Sequence, residues 1–209
     1  MLVGAALAAN GQSANMHKKL TVILSIIAIV VMTVAITNKR ENSLNAKFEH
    51  ATENVAKHTT KGRNMKLTSV FEHNRNIPSI YTCDGEDLAP ELSVSEIPEN
   101  TKELALIVDD PDAPMGTWVH WIIYNLPSNT TKIDAKNLPV GSKQGMTNFG
   151  RIGWGGPCPP NGAHRYFFKL YALDKKINLP EEASKSQLEE AIKNNIIEKV
   201  ELIGIYKRK

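Results

Sequence analysis

The chain has 209 residues, of which 42% are hydrophobic, and a formal net charge of +3. This length allows one domain of ordinary size together with an additional segment. The charge is divided unevenly, because residues 1–65 carry eight Lys or Arg against three Glu, whereas residues 66–209 carry seventeen against nineteen Asp or Glu. A slightly acidic region without a basic stripe argues against a nucleic acid partner.

An apolar segment near the N-terminus predicts a membrane anchor. Residues 20–36 contain no charged side chain, and their number is at the lower end of the about 17–25 residues that a membrane-spanning helix needs. Lys18 and Lys19 precede the segment, as in the first part of an export signal. We therefore predict a signal-anchor or transmembrane segment over residues 1–37, with the rest of the chain exported to the periplasmic or extracellular side. The alternative is secretion after cleavage of the signal.

Residues 38–65 are polar and show no sustained periodicity, so they predict a flexible tether before a domain over residues 66–209. In that domain, short apolar runs separated by turn residues predict β-strands. Residues 104–108 and 118–126 are apolar almost throughout, which favours central strands. Residues 128–147 have turn residues and no steady period, which predicts a long surface excursion. The other predicted strands are 66–71, 92–97, 166–173 and 200–206.

One helix is predicted between the last two strands. Ser184 followed by Gln187 forms a capping box at its start. Apolar residues recur behind it at helical spacing, opposite charged ones, so the helix is expected to cover a sheet. Its apolar face is predicted to contain Leu188, Ala191, Ile192 and Ile196.

Two carboxylates and one histidine lie where the central strands meet. The stretch from Asp109 to Trp121 is DDPDAPMGTWVHW, and its two prolines cannot donate hydrogen bonds to a neighbouring strand. The prolines therefore end the first strand and stiffen a turn that holds Asp110 and Asp112 close together. His120 lies on the strand that follows. These three side chains predict a polar pocket at the ends of the two strands.

A loop rich in glycine and proline forms the second informative stretch. Residues 150–166, GRIGWGGPCPPNGAHRY, contain five glycines and three prolines. Glycines let the backbone approach a ligand and expose its amides, but their spacing here is not that of a nucleotide-binding loop. His164 and Tyr166 follow at the start of the next strand. Imidazole, phenol and amide groups donate hydrogen bonds to anions, so the stretch predicts an anion site.

Five motifs in chain order carry a resemblance to one family. They are YTCDGED at 81–87, LALIVDDPDAP at 104–114, WVHWIIYNLP at 118–127, GGPCPPNGAHRYFFKLYALD at 155–174, and the terminal helix and strand. The region from about Phe71 to Tyr206 resembles the phosphatidylethanolamine-binding protein family, and within it the bacterial and archaeal branch of Raf kinase inhibitor-like proteins.

The resemblance implies a β-sandwich of two antiparallel sheets with a cavity at one end. It also implies a cis peptide bond before a motif proline such as Pro114. The predicted fold class is therefore mainly β, with two antiparallel sheets and a C-terminal helix, plus the N-terminal transmembrane helix.

A ligand pocket is also implied by the resemblance. Asp112 is expected in the pocket wall, and an equally good alternative is that it caps the turn through its own backbone. Arg165 points to the opposite side of its strand from its two neighbours, so it is expected to pair with a carboxylate outside the pocket. Carried over residue by residue, the ligand-binding residues are Asp110, His120, Gly156, Pro159, His164 and Tyr166, with Asp112 and Pro114 shaping the wall.

The implied function is that of a non-enzymatic protein that binds a small anion or a phospholipid head group, without a cofactor or metal ion. With two imidazoles in the pocket, anion affinity is expected to rise as the pH falls towards about 6. The expected partners are this ligand, the membrane through the N-terminal helix, and a kinase or protease that the protein could regulate.

A hydrolase is the alternative that the residue types leave open. It would be metal-dependent or act on phosphoesters. The chain shows no evident nucleophile with a partnering base, which argues against this alternative. The residues that such an enzyme would use are Asp110, Asp112, His120 and His164.

The two cysteines, Cys83 and Cys158, both lie in the family motifs and allow one intramolecular pairing. A disulfide is typical of exported domains, and it requires Cα atoms within about 7 Å. The alternative is a pair of small buried residues without a partner. The sequence leaves this choice open.

Overall fold

A computed structural model describes residues 32–33, 38–42 and 64–209 of the chain. The chain divides into two units, residues 1–61 and 62–209, and every strand named below belongs to the second. In the first unit, residues 38–42 are helical. The predicted tether otherwise lies outside the described residues, apart from its last two positions.

The predicted transmembrane helix is the part of the fold class that has to be corrected. Among the described residues, no helix is long and apolar enough to cross a membrane. An uncharged run has the hydropathy of a span, but it does not by itself specify a continuous helix of about 20 residues. Apart from Met32 and Thr33, the apolar segment 20–36 itself lies outside the described residues.

The remainder of the predicted fold, which is mainly β with two sheets and a C-terminal helix, agrees with the structure. In chain order, the elements of residues 64–209 are β1 (Lys66–Ser69), β2 (Arg75–Asn76), a 3-10 helix (Ser79–Tyr81), β3 (Leu92–Ser95), β4 (Glu103–Asp110), β5 (Trp118–Pro127), β6 (Lys132–Ile133), β7 (Lys143–Gln144), β8 (Ala163–Leu173), α1 (Lys185–Ile192) and β9 (Ile196–Lys207).

The strands form two sheets of unequal size. The smaller sheet has the order β1–β3–β6 and is antiparallel. The larger sheet has the order β2–β9–β8–β4–β5–β7. Its neighbours are antiparallel except for β2 and β9, which are parallel, so this sheet is not antiparallel throughout as predicted.

Strand β4 lies inside the larger sheet, and all eight of its residues are buried. Side chains alternate between the two faces of a strand. Leu106 and Val108 therefore pack in the core that includes Leu92 of the smaller sheet. Ala105 and Ile107 pack in the second core, beneath α1. Burial of each large apolar side chain contributes about 1.5–3 kcal/mol, so both faces of β4 stabilise the domain.

A β-bulge in β5 determines where His120 lies. Val108 pairs with Trp121, but the next residue, Asp109, pairs with Val119, so His120 is the additional residue on β5. Bulges change the direction of side chains relative to strict alternation. Trp121 thus remains in the core shared with the smaller sheet, and Val119 packs in the core beneath α1. His120, between them, is free to face a different environment.

Helix α1 begins as predicted. Ser184 Oγ accepts a hydrogen bond from the Gln187 amide, and the Gln187 side chain accepts one from the Ser184 amide, which completes the capping box. The predicted helical position of Ile196 is wrong, because Ile196 begins β9 and pairs with Leu173. Its spacing fits a helical period as well as the start of the next strand. The predicted excursion over residues 128–147 contains the short edge strands β6 and β7.

Candidate functional site

A cavity of about 350 Å³ is bordered by residues of β4, β5, β8 and the adjoining loops. Six of the eight predicted site residues line it, and they come from three separate stretches of the chain. Four of them are polar, and we refer to Asp110, His120, His164 and Tyr166 as the polar cluster. The other two predicted residues in the lining are Pro114 and Pro159.

Asp110 and His164 form a buried pair in this cluster. Asp110 is the last residue of β4, and its Oδ2 lies 2.7 Å from His164 Nδ1. Asp110 Oδ1 accepts a hydrogen bond of 2.8 Å from the Asp112 amide, so the turn that follows the strand holds the carboxylate in place. Because Nδ1 of His164 donates to the carboxylate, Nε2 is the polar atom of this ring that remains for a ligand.

His120 is buried, and its tautomer is determined by one contact. Nδ1 lies 2.5 Å from the Gly155 carbonyl oxygen, which can only accept, so Nδ1 carries the proton. Burial lowers the pKa of His120, although this hydrogen bond and the charge of Asp110 act in the opposite direction. The ring is therefore neutral near pH 7, and its Nε2 carries a lone pair. Phe149 and Tyr166 pack edge-on against it, with centroids 5.4 and 5.1 Å away.

The Tyr166 hydroxyl is the unpaired member of the polar cluster. It is fully buried and has no hydrogen-bond partner among the described residues. Burial raises the pKa of Tyr166, and the negative charge of Asp110 raises it further, so the phenol keeps its proton. A buried polar group without a partner costs about 1–3 kcal/mol. The hydroxyl is therefore available to a ligand or a water molecule.

Asp112 lies outside the cavity lining, in contrast to its predicted position in the wall. It accepts hydrogen bonds from the Arg165 amide at 3.0 Å, Nε at 2.9 Å and Nη2 at 2.7 Å. The Arg165 guanidinium lowers the pKa of Asp112 to about 2. Arg165 thus pairs with a carboxylate outside the cavity, as its position on the strand predicts. Asp112 fixes the turn from the outer side.

Gly156 also lies behind the lining, and its amide is not exposed to a ligand. The amide donates a hydrogen bond of 2.7 Å to Asp87 Oδ1. A Cβ atom at this position would lie 2.3 Å from the same oxygen and 2.6 Å from the Tyr81 carbonyl oxygen. The glycine is therefore required by the close approach of another loop. The prediction identified a close backbone approach here, but the approaching group is protein.

The structure contains a disulfide between Cys83 and Cys158, which resolves the choice that the sequence left open. The two Cα atoms are 5.4 Å apart, and 75 residues separate the cysteines along the chain. The Cys83 amide donates a hydrogen bond of 3.1 Å to the Pro157 carbonyl oxygen. Cys158 lines the cavity, so the disulfide joins one wall of the cavity to the loop that contains Cys83.

Apolar residues outside the predicted ligand-binding set form much of the rest of the lining. They include Met115, which is 94% exposed, together with Trp118 and Phe149. The Phe149 and Trp118 rings contact edge-on, with centroids 5.5 Å apart. Phe149 follows the predicted excursion, where one aromatic residue in a polar turn was the only available signal. Gly155 makes space for it, since a Cβ atom there would lie 2.4 Å from the ring.

The predicted cis peptide bond is wrong, because every described peptide bond is trans, including that before Pro114. A proline lowers the energy of the cis form of the peptide bond before it but does not select that form. Within the described residues, no group of three or more His, Cys, Asp and Glu side chains is placed to hold a metal ion.

The fold and the site define a β-sheet protein with a preformed cavity at the ends of its central strands. Comparison with known proteins identifies the family. The family model for phosphatidylethanolamine-binding protein matches residues 67–207. A UPF0098 protein from Methanothermobacter thermautotrophicus is 48% identical over an alignment of 150 residues, and the match covers 69% of this chain and 99% of that protein. A UPF0098 protein from Aquifex aeolicus is 46% identical over an alignment of 145 residues, and the match covers 66% of this chain and 85% of that protein.

Two solved structures agree with this result. A phosphatidylethanolamine-binding protein homologue from Chlamydia trachomatis is 40% identical and has a TM-score of 0.67, covering 71% of this chain and 100% of that one. YbcL from E. coli, described as a member of the mammalian PEBP family, is 31% identical and has a TM-score of 0.66, covering 70% and 100%. The chain belongs to the phosphatidylethanolamine-binding protein family, which confirms the resemblance that the motifs carry.

Proposed function

We propose that the cavity binds a small oxyacid head group of the phosphate type, and that the protein is a binding module rather than an enzyme. The observation that carries this proposal is the Tyr166 hydroxyl. It is buried beside a carboxylate and two imidazoles and lacks a hydrogen-bond partner among the described residues. A ligand oxygen that accepts this hydrogen bond removes a cost of about 1–3 kcal/mol from the occupied state.

The remaining lining limits the size and shape of the ligand. A cavity of about 350 Å³ is near the lower end of the about 300–1,000 Å³ that small-molecule sites occupy. The polar cluster is accompanied by apolar side chains such as Met115, Trp118 and Phe149. This arrangement suits a compact polar head group that is attached to an apolar portion, as in a phospholipid or another phosphate ester.

Binding without covalent chemistry is the function that the side chains support best. No Ser, Thr or Lys is among the cavity-lining residues of the part of the chain that the structure describes, and Cys158 is part of the disulfide. The Asp110 carboxylate already accepts two hydrogen bonds. A nucleophile with a partnering base is therefore not assembled among these residues, and no observation favours the hydrolase alternative. Regulation of a kinase or a protease stays a prediction from the resemblance.

The disulfide also supports a proposal about location. Such bonds persist in oxidising compartments, and both cysteines are exposed to solvent. We therefore propose that the domain acts on the exported side, in agreement with the export signal that the N-terminal sequence predicts.

The proposal is tested by measuring the affinity of the full-length protein for inorganic phosphate by calorimetry. Tyr166→Phe removes the hydroxyl and leaves the ring, so it is expected to weaken binding about 2- to 10-fold, corresponding to one hydrogen bond. Tyr171→Phe is the matched control, because Tyr171 is a buried tyrosine of the same strand in the core beneath α1. Unchanged affinity in Tyr166→Phe, or no phosphate binding to the unmodified protein, would contradict the proposal.

A further inference from the structure

We propose that the cavity accepts an oxyacid head group only while that group carries a proton, because the polar cluster presents hydrogen-bond acceptors that the ligand must satisfy. This inference rests on the proposed function and specifies its ligand class. The site would distinguish a protonated phosphonate or phosphate from a sulfonate or sulfate of the same shape. The argument depends on which polar atoms remain unused after the internal hydrogen bonds are formed.

His120 provides the first acceptor. Its Nδ1–H donates to the Gly155 carbonyl oxygen at 2.5 Å, and the Gly155 amide donates back to the His120 carbonyl oxygen at 3.0 Å. These two contacts hold the glycine loop and the strand together, so the tautomer cannot change without breaking the first of them. The polar atom that remains is Nε2, which in the neutral ring can only accept a hydrogen bond. An unprotonated oxyanion has only lone pairs, and it would meet this nitrogen without a hydrogen between them.

Asp110 provides the second acceptor, together with a negative charge. Each carboxylate oxygen accepts one hydrogen bond, from the Asp112 amide and from His164 Nδ1, respectively. An ionised carboxylate has about four lone-pair sites, so two of them remain. When His164 is neutral, the pair carries one negative charge and His164 Nε2 is another acceptor. When His164 is protonated, the pair is neutral overall and Nε2–H becomes a donor.

No Lys or Arg is among the described residues that line the cavity. Arg165 lies outside the lining, where Asp112 pairs with it and helps to raise its pKa, and the charge of Asp110 raises that pKa further. Arg165 therefore compensates for Asp110 only in part. Other carboxylates also act on the imidazole of His120 and the phenol of Tyr166. Each of these has a cationic partner outside the lining, so its field is partly cancelled there. The pairs are Asp109 with Lys169 and Lys185, Asp87 with Arg151, and Asp112 with Arg165. The remaining group that acts on Tyr166 is the Tyr206 phenol, whose hydroxyl donates a hydrogen bond to Asp84.

The complementary ligand therefore accepts at one oxygen and donates from another. The Tyr166 hydroxyl supplies the donor, and His120 and Asp110 supply the acceptors. A phosphonate or phosphate ester that carries one negative charge and one proton meets both requirements. A dianion would add like-charge repulsion with Asp110, and a sulfonate would leave the acceptors unsatisfied even though its charge is the same.

Methylphosphonate and methanesulfonate are the appropriate probes. A phosphonate loses its second proton at a higher pH than a phosphate ester, whose second pKa is about 6. At about pH 6, methylphosphonate is therefore mainly a singly charged ion with one proton, whereas methanesulfonate has the same charge and shape without the proton. The full-length protein is titrated with each by calorimetry at constant ionic strength. Methylphosphonate is expected to bind at least about 10-fold more tightly, as for one missing hydrogen bond to a charged group.

Two variants assign the preference to its source. Asp110→Asn replaces an acceptor by a group that can donate, so the preference for methylphosphonate should fall to about threefold or less. Asp112→Asn is the matched control outside the lining, and it should retain the preference. Retention of the full preference in Asp110→Asn would contradict the role of this carboxylate.

A pH series on the unmodified protein keeps the test decisive if Asp110→Asn does not fold. Methylphosphonate affinity should fall as the ligand loses its proton at higher pH, and by more than methanesulfonate affinity, which follows only the protonation of the protein. Equal affinities for the two probes would overturn this inference and leave the proposed function standing. If neither probe nor phosphate binds, both are overturned.

Discussion

Asp109 and Asp110 are adjacent in β4 and both are buried, but their side chains lie on opposite faces of the sheet in different surroundings. Asp109 lies 2.7 Å from Lys169 Nζ and 3.4 Å from Lys185 Nζ. Asp110 has His164 as its only ion-pair partner among the described residues, and it faces the cavity. One carboxylate is enclosed by fixed cations, and the other faces the cavity beside an imidazole.

This difference shows how one strand can contribute to stability and to binding at once. Lys185 is the first residue of α1 and lies within reach of Asp109, so the ion pair attaches the helix to the sheet. On the other face, Asp110 is held by an amide of the following turn and an imidazole, which leave its remaining lone pairs available. The identity of the residue is the same, and the partners determine its role.

The largest effect is expected from removing the disulfide, which belongs to the cavity side of this comparison. A bridge across 75 residues is expected to stabilise the folded state by about 3–4 kcal/mol. The free energy of unfolding in urea, measured with and without dithiothreitol, should fall by this amount on reduction. The affinity for phosphate should fall as well, because Cys158 belongs to the cavity wall.

The variant with both cysteines replaced by serine provides the control for this experiment. Its stability should match that of the reduced protein and should not respond to dithiothreitol. Equal stability of the oxidised and reduced protein would show that the bridge does not constrain the domain.

A smaller effect is expected from exchanging each aspartate for asparagine. Asp109→Asn removes the carboxylate that pairs with Lys169, whereas Lys185 keeps its ion pair with Glu189 at 2.9 Å. The change should destabilise the domain by about 2–3 kcal/mol, less than for a fully enclosed pair because the lysines can reach solvent. Urea unfolding provides the measurement. Asp110→Asn should cost less stability and should instead change ligand affinity, and the comparison fails if the two variants lose similar stability and bind phosphate alike.

The two central strands and most of the polar cluster were predictable from the sequence. Residues 104–108 are apolar throughout and end at acidic residues and prolines, so both the strand and its end could be located. Asp110, His164 and Tyr166 occur in motifs whose residue types suit a polar site. Their meeting in one cavity was expected from the family resemblance, since no local rule brings together residues that are far apart in the chain.

Other features depend on contacts that local sequence does not determine. The orientation of His120 results from a bulge in the pairing of β4 and β5, and strict alternation would not place it correctly. Gly156 is determined by Asp87, which is 69 residues away. The disulfide depends on how closely two loops approach each other. Phe149 enters the wall just after the predicted excursion over residues 128–147, where no periodic pattern marked it. The predicted transmembrane helix was inferred from hydropathy alone, and none of the described helices is long and apolar enough to cross a membrane.

The smallest effect is expected at Asp112, the carboxylate on the outer side of the turn. Its folded-state pKa is about 2, below its usual value of 3.8, because the Arg165 side chain donates to it. A group whose pKa is lower in the folded state stabilises folding above its unfolded pKa, and this contribution is lost as the pH falls through the folded value. Stability should therefore decrease between about pH 4 and about pH 2, and the decrease should be smaller in Arg165→Ala. Because Arg165 is exposed, solvent screening keeps the effect below that of Asp109→Asn.

Phosphate affinity near neutral pH provides the contrast, because His120→Ala and His164→Ala should weaken it more than Arg165→Ala does. A larger loss of affinity in Arg165→Ala would place this outer pair in the binding site and remove the distinction between the two sides of the turn.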